Sequence, residues 1–365
     1  MTSVVSFLFL VGATKGRYAM LRFGSMRKAY LVFVLSALCL AAPVLRAAQT
    51  LDLYFIDVEG GQATLFVSPS GESMLVDTGW PDFAGRDADR IVAAAKLAGV
   101  KRIDYLVVTH YHADHVGGVP ALAQRIPIVN FIDHGPRDVE TDRMAQVLYR
   151  SYDNLASKGH RITARPGEKI PISGIDVEIL TAAGDEVAQP LPGGGEPNPL
   201  CAATPRREVD TSENAQSVGM LITYGKFRII DLGDLTWNKE LDLVCPNNKI
   251  GTVDVYLSTH HGMNLSGSAA IVHALHPRVA IMNNGAKKGG TPEAWQAIHS
   301  SPGLEGFWQL HYAVDGGPAN NVAADFIANQ DATEGQWIKL SAEADGTFTV
   351  TNSRNGRTET YSAGK

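Results

Sequence analysis

The chain has 365 residues, 45% of them hydrophobic and 19% charged, with 36 glycines and a formal charge of −6. That balance excludes a disordered or fibrous protein and suffices for one large domain or one domain with a small appendage. Residues 1–48 hold six of the 32 Lys and Arg and none of the 38 Asp and Glu, so the rest carries a formal charge of −12. This is the reverse of a polyanion-binding balance and argues against long nucleic acid as a natural substrate.

In chain order, Arg27-Lys28 precedes the apolar run Ala29 to Ala42, with small residues at Ala47 and Ala48. This pattern predicts a secretory signal peptide starting at Met26, cleavage near residue 48, and a periplasmic or secreted protein. A membrane anchor competes, but a run of 14 residues is short against the roughly 20 a bilayer span needs. No stable membrane span is therefore expected in the mature chain. Leu38 before Cys39 disfavours lipidation.

From Leu51 to Thr78, apolar strands alternate with Gly-containing turns. A helix is predicted over 87–97, and a buried strand over 103–108 that leads into a polar loop. Further helices are predicted at the start of 119–123 and over 141–158, the latter with Met144, Val147, Leu148 and Leu155 as its apolar face. Strands are expected at 129–133 and at 169–180 around Gly174.

Residues 181–213 hold Gly193-Gly194-Gly195 and several prolines, and read as a long surface loop on the substrate side of the cleft. Strands return at 218–224, 227–232, 253–258 and 279–283, with helices at 237–243, 269–275 and 292–299. A β-hairpin is predicted at 337–340 and 347–352 around Asp345-Gly346. Cys201 and Cys245 are the only cysteines after residue 48; an oxidising compartment would let them pair, and two separate thiols fit equally well.

The densest chemical signal follows the strand at 103–108. His110, His112, Asp114 and His115 lie within six consecutive positions. Imidazole nitrogens and a carboxylate suit zinc or iron, and a loop leaving a strand end can aim them into one cleft. Four polar side chains at a buried strand end are costly unless something binds them.

These four residues match the H-x-H-x-D-H motif, and the chain resembles the metallo-β-lactamase superfamily. Residues 55–63 and 74–79 are similar to that family's opening strands, and 229–234 and 255–262 continue the likeness in order. Within the superfamily the chain is similar to the subgroup of ComEC-type DNA-uptake proteins and secreted phosphorylcholine esterases. The resemblance covers roughly residues 51–315. It implies an α/β, αββα sandwich, here with a C-terminal β-hairpin extension. The implied layout is an extension and signal peptide at 1–48, a hydrolase domain at 49–315 and a β extension at 316–365.

The resemblance also implies two divalent metal ions, zinc foremost, with manganese or iron as alternatives. His110 and His112 would hold metal 1, Asp114 and His115 metal 2, and Asp234 would bridge them. His260 is favoured as the later ligand to metal 2, with His261 supporting it or contacting substrate. His311 is a candidate to reach the cleft, His134 a weaker one, and Asp77 is expected to orient the metal loop by hydrogen bonding. Many family members supply a further histidine from the segment before Asp234; residues 212–217 contain none, and Asn214 stands there.

The expected activity is hydrolysis of a small phosphodiester by a metal-bound hydroxide, with Asp114, Asp234, His261 and His311 as catalytic candidates. Lactone or β-lactam hydrolysis, and a non-catalytic secreted metal-binding protein, are the alternatives. The expected partner is a small-molecule substrate; the sequence does not fix the oligomeric state.

Overall fold

The computed structural model describes residues 50–81, 83–136, 143–331 and 335–363. The signal peptide and the other expectations for residues 1–48 lie outside this range. Alternating side chains along each strand build two sheets that share one core. In β1 (Leu51–Phe55), Leu51, Leu53 and Phe55 face the other sheet, while Tyr54 turns to the opposite face, the two-residue period of an extended chain.

The first sheet continues through β2 (Thr64–Val67), β3 (Ser73–Val76), β4 (Ile103–Val107), β5 (Ile128–Asp133) and β6 (His160–Thr163). Beyond Met74↔Tyr105 its pairing is parallel. The second sheet holds β7 (Lys169–Ile170), β8 (Asp176–Ala182), β9 (Asp185–Glu186), β10 (Gly219–Tyr224), β11 (Phe227–Asp231), β12 (Val255–Leu257), β13 (Val279–Met282), β14 (Gly306–His311) and β15 (Ile327–Asn329). From β11 to β15 it is parallel, and its strands are apolar on both faces, as burial on both sides requires.

Helices cover the outer faces. On the first sheet lie α1 (Arg86–Leu97), the short α2 (Ala113–Val116), α3 (Val119–Ala123) and α4 (Arg143–Ala156). On the second lie α5 (Trp237–Val244), α6 (Ala269–Leu275) and α7 (Pro292–His299). The order helix, sheet, sheet, helix is the four-layer αββα sandwich that the sequence predicts.

The C-terminal segment supplies the outer strands of the first sheet, β16 (Ile338–Ala342), β17 (Phe348–Asn352) and β18 (Thr358–Tyr361). β16 pairs with β1, Leu53 opposite Leu340, and the predicted hairpin forms with Leu340 opposite Val350. The segment therefore belongs to the sheet rather than capping it.

Two local expectations are corrected. Helix α4 buries Ala145, Leu148, Tyr152 and Ala156, whereas Met144 and Val147 are exposed. Its facing is set by Tyr152, whose hydroxyl donates to Asp133 at 2.6 Å. The 181–213 segment does not hang over the cleft as a whole. Cys201 and Cys245 pair, with Cα atoms 5.7 Å apart, and Asn198 Nδ2 donates to the carbonyls of Val244 and Ala270. The Arg207 guanidinium stacks on Trp237 at 3.6 Å. These contacts tie the segment to α5 and α6, and just beyond it Asn214 Nδ2 lies 3.4 Å from His260 Nε2.

Candidate metal centre

Every candidate ligand leaves the carboxyl end of a parallel strand, where an open α/β sheet leaves room for a ligand. Asp77, just after β3, sits at φ 60°, a left-handed conformation that Asp tolerates better than most residues. Thr109 N–H and Oγ1 donate to its two carboxylate oxygens at 2.8 and 2.7 Å, and His115 Nδ1 lies 2.7 Å from Oδ2. A carboxylate only accepts, so Nδ1 of His115 carries a proton, which leaves Nε2 as the atom a cation would bind. Asp77 thus orients the loop as expected.

His115 Nε2 then faces Asp114 Oδ2 and Asp234 Oδ2, each at 3.3 Å, and His261 Nε2 at 3.2 Å. His261 Nε2 lies 3.2 Å from both Asp114 Oδ2 and Asp234 Oδ1. Asp114, His115, Asp234 and His261 each present a ligand atom, all within 4.8 Å of one another. All four are buried.

His110 and His112 form the other pole. His110 Nε2 is 3.1 Å from His112 Nδ1 and 4.0 Å from Asp234 Oδ2. Burial, then the neighbouring His115, hold the His110 imidazole well below its usual pKa, so its lone pair is free. Burial opposes ionisation of Asp234, but His115, His261 and His260 outweigh it and hold the carboxyl well below the usual range. Asp114 is likewise depressed against its burial, mainly by His115. Lys288 Nζ also contacts Asp114 Oδ2.

Within the histidine pair it is His261, not the favoured His260, whose ring lies in the cluster with Asp114, His115 and Asp234. His260 and His261 are both left-handed, at φ 55° and 56°, which costs strain at non-glycine residues. The resulting turn sends the two rings to different places. His261 joins Asp114 and His115, while His260 Nε2 approaches Asp234 Oδ2 and Asn214 Nδ2, both at 3.4 Å. Consecutive residues at a strand end look equivalent in sequence; the backbone decides between them.

His311 does not reach the cluster. Its Nε2 lies 2.6 Å from Asp57 Oδ1, and Arg90 Nη1 donates to Asp57 Oδ2 at 2.8 Å. His311 is 1% exposed, and the triplet ties β14 to the turn after β1. His134 packs behind the loop, 3.1 Å from Glu213 Oε2, and Glu213 also accepts from Tyr111 N–H at 3.1 Å.

Residues not singled out in the sequence also shape the centre. Gln62 N–H donates to Asp114 O at 3.1 Å and its amide to Asp231 at 2.7 Å. Lys288 sits in the glycine-rich turn Gly285–Gly290 after β13. That turn follows the carboxyl end of a parallel strand, a signal that could have drawn attention to it.

The donor set fits divalent cations. It consists of imidazoles and carboxylates, the ligands of zinc sites, and Asp234 Oδ1 is buried without a hydrogen-bond partner although His261 Nε2 is 3.2 Å away. Close ligand atoms that do not bond one another are what a metal would hold together.

Residues 56–201 match the family described as the Metallo-beta-lactamase superfamily. The chain is 24% identical over 228 residues to "Competence protein ComA" of Neisseria gonorrhoeae, covering 62% of this chain and 26% of that protein. It thus spans about a quarter of that relative's length. It is 26% identical over 245 residues to a metal-dependent hydrolase of Cupriavidus metallidurans, covering 65% of this chain and 76% of that protein. Among solved structures it is similar to the metallo-beta-lactamase fold protein YhfI of Bacillus subtilis, at 12% identity and TM-score 0.42, covering 71% of this chain and 95% of that one.

Proposed function

We propose that this chain, whose residues 56–201 match the metallo-β-lactamase superfamily, is an exported hydrolase that holds two divalent cations and cleaves a small phosphodiester. The observation that carries the two-cation reading is the setting of Asp234. Its Oδ1 faces His261, while its Oδ2 faces His115, His260 and His110, so one carboxylate spans two groups of ligands. His110 and His112 would hold one cation, Asp114, His115 and His261 the other, with Asp234 between them. Zinc suits these donors best, with manganese or iron as alternatives. Bound cations would supply Lewis acidity and lower the pKa of a water.

The substrate reading rests on the residues around that pair. Where many relatives have a histidine this chain has Asn214, so the His110–His112 pole has fewer ligating side chains and more room for a substrate oxygen. Lys288 adds a cation beside Asp114. Likeness to a competence protein raises DNA as a substrate, but the formal charge of −12 beyond residue 48 favours a small one. Export is supported by the signal-like N-terminus and by the Cys201–Cys245 pair, since disulfides persist in oxidising compartments.

Elemental analysis of protein purified with zinc should approach about two equivalents, and kcat/KM on an aryl phosphodiester should exceed that on a cephalosporin by at least about tenfold. Efficient cephalosporin cleavage with no phosphodiester turnover under zinc, manganese or iron would overturn the substrate reading. Zinc content below one equivalent would overturn the two-cation centre.

A further inference from the structure

We propose that Lys288 is the specificity-determining cation of this site, receiving the anionic oxygen of a phosphoryl group; the proposal rests on the hydrolase reading above and names what selects its substrate. Lys288 occupies a turn built for close approach. A side-chain carbon at Gly289 would stand 2.1 Å from the His261 carbonyl, and one at Gly60 would stand 2.9 Å from Gly285 N and 3.0 Å from Lys288 Cβ. The turn is held at both ends. Gly290 N–H donates to His261 O at 3.0 Å, Val314 N–H donates to Ala286 O at 2.9 Å, and Asn284 Nδ2 donates to His311 O at 2.8 Å. The lysine stem thus rises from a fixed base next to a candidate ligand.

Its head group is placed for exchange. Lys288 Nζ contacts Asp114 Oδ2, lies 5.0 Å above the Trp80 ring, and the side chain keeps 28% exposure. The Trp80 backbone is anchored, its main-chain N–H donating to Asp87 Oδ2 at 2.9 Å. A cation held by Asp114 and the Lys288 ammonium would compete for one carboxylate oxygen. Loading the centre therefore frees the ammonium for another anion within reach of the ligands. A compact ammonium on a flexible stem suits a phosphoryl oxygen, and the ring beside it lowers the cost of holding the charge there.

The test uses zinc-loaded wild type, K288M and K288R, with inorganic phosphate as the binding probe and an aryl phosphodiester as substrate. K288M should keep the wild-type zinc content. It should bind phosphate at least about tenfold more weakly and raise KM for the diester by a similar factor, with a smaller fall in kcat. The loss on the diester should exceed the loss on a neutral aryl acetate by at least about fivefold, and K288R should recover most of it. Wild-type phosphate affinity and KM in K288M would overturn the proposal. So would loss of zinc from K288M, which would make Lys288 a support for Asp114. If wild type turns over no phosphodiester, the phosphodiester reading fails while the phosphate titration still decides the role of Lys288.

Discussion

Asp77 Oδ2 lies 2.7 Å from His115 Nδ1, and the same carboxylate accepts from both the N–H and the hydroxyl of Thr109. One buried side chain therefore fixes the start of the metal loop and the tautomer of its last histidine, leaving Nε2 to face Asp114, Asp234 and His261.

Asp77→Asn is the informative substitution, because Asn tolerates the left-handed backbone at φ 60° that Ala would strain. An amide can no longer hold both Thr109 and the protonated Nδ1 as a carboxylate does. The variant should fold and lose zinc affinity by at least about tenfold, as removal of a ligand's outer partner does. Chelator competition measures this. Wild-type zinc affinity in the variant would show that His115 keeps its orientation without Asp77.

The paired histidines separate by geometry. His261 shares Asp114 and Asp234 with His115, whereas His260 touches Asp234 from the side of Asn214. Under mild chelation that leaves wild type loaded, His261→Ala should drop to about one zinc equivalent, since one ligand set loses a member. His260→Ala should retain more. The opposite order would return His260 to the position expected from sequence.

What the sequence revealed follows from how local each signal is. The candidate ligands from His110 to His115 lie in one loop, so their spacing alone drew attention to that part of the centre. The strands expected at 227–232 and 279–283 likewise formed as β11 and β13, whereas the two-sheet sandwich was implied by the family resemblance. The partner of His311 is Asp57, 254 positions away, and no local pattern joins them. Helix α4 offered several apolar spacings; Tyr152, bonded to Asp133, selected the one that exposes Met144 and Val147. Lys288 carries no motif, and its importance comes from a turn that glycine close-packing presses against His261.

Glu240 gives the pH prediction. It lies fully buried beneath the His260–His261 turn; Oε2 accepts from Gly267 N–H at 2.7 Å and Oε1 has no partner. Burial pushes its carboxyl up to about 8, partly countered by Thr259 and the backbone of Gly267 and Ser268. The folded protein thus keeps a proton that the unfolded chain releases near 4.5. Its contribution to stability is complete below about 4.5 and is lost as pH rises through about 8. Glu240→Gln is neutral at every pH and keeps an acceptor for Gly267. Between pH 6 and 9 the wild-type Tm should fall by at least about 2 °C more than that of the variant, a difference of roughly 1 kcal/mol. Parallel Tm curves, measured by thermal unfolding across that range, would show that Glu240 is ionised in the folded protein throughout it.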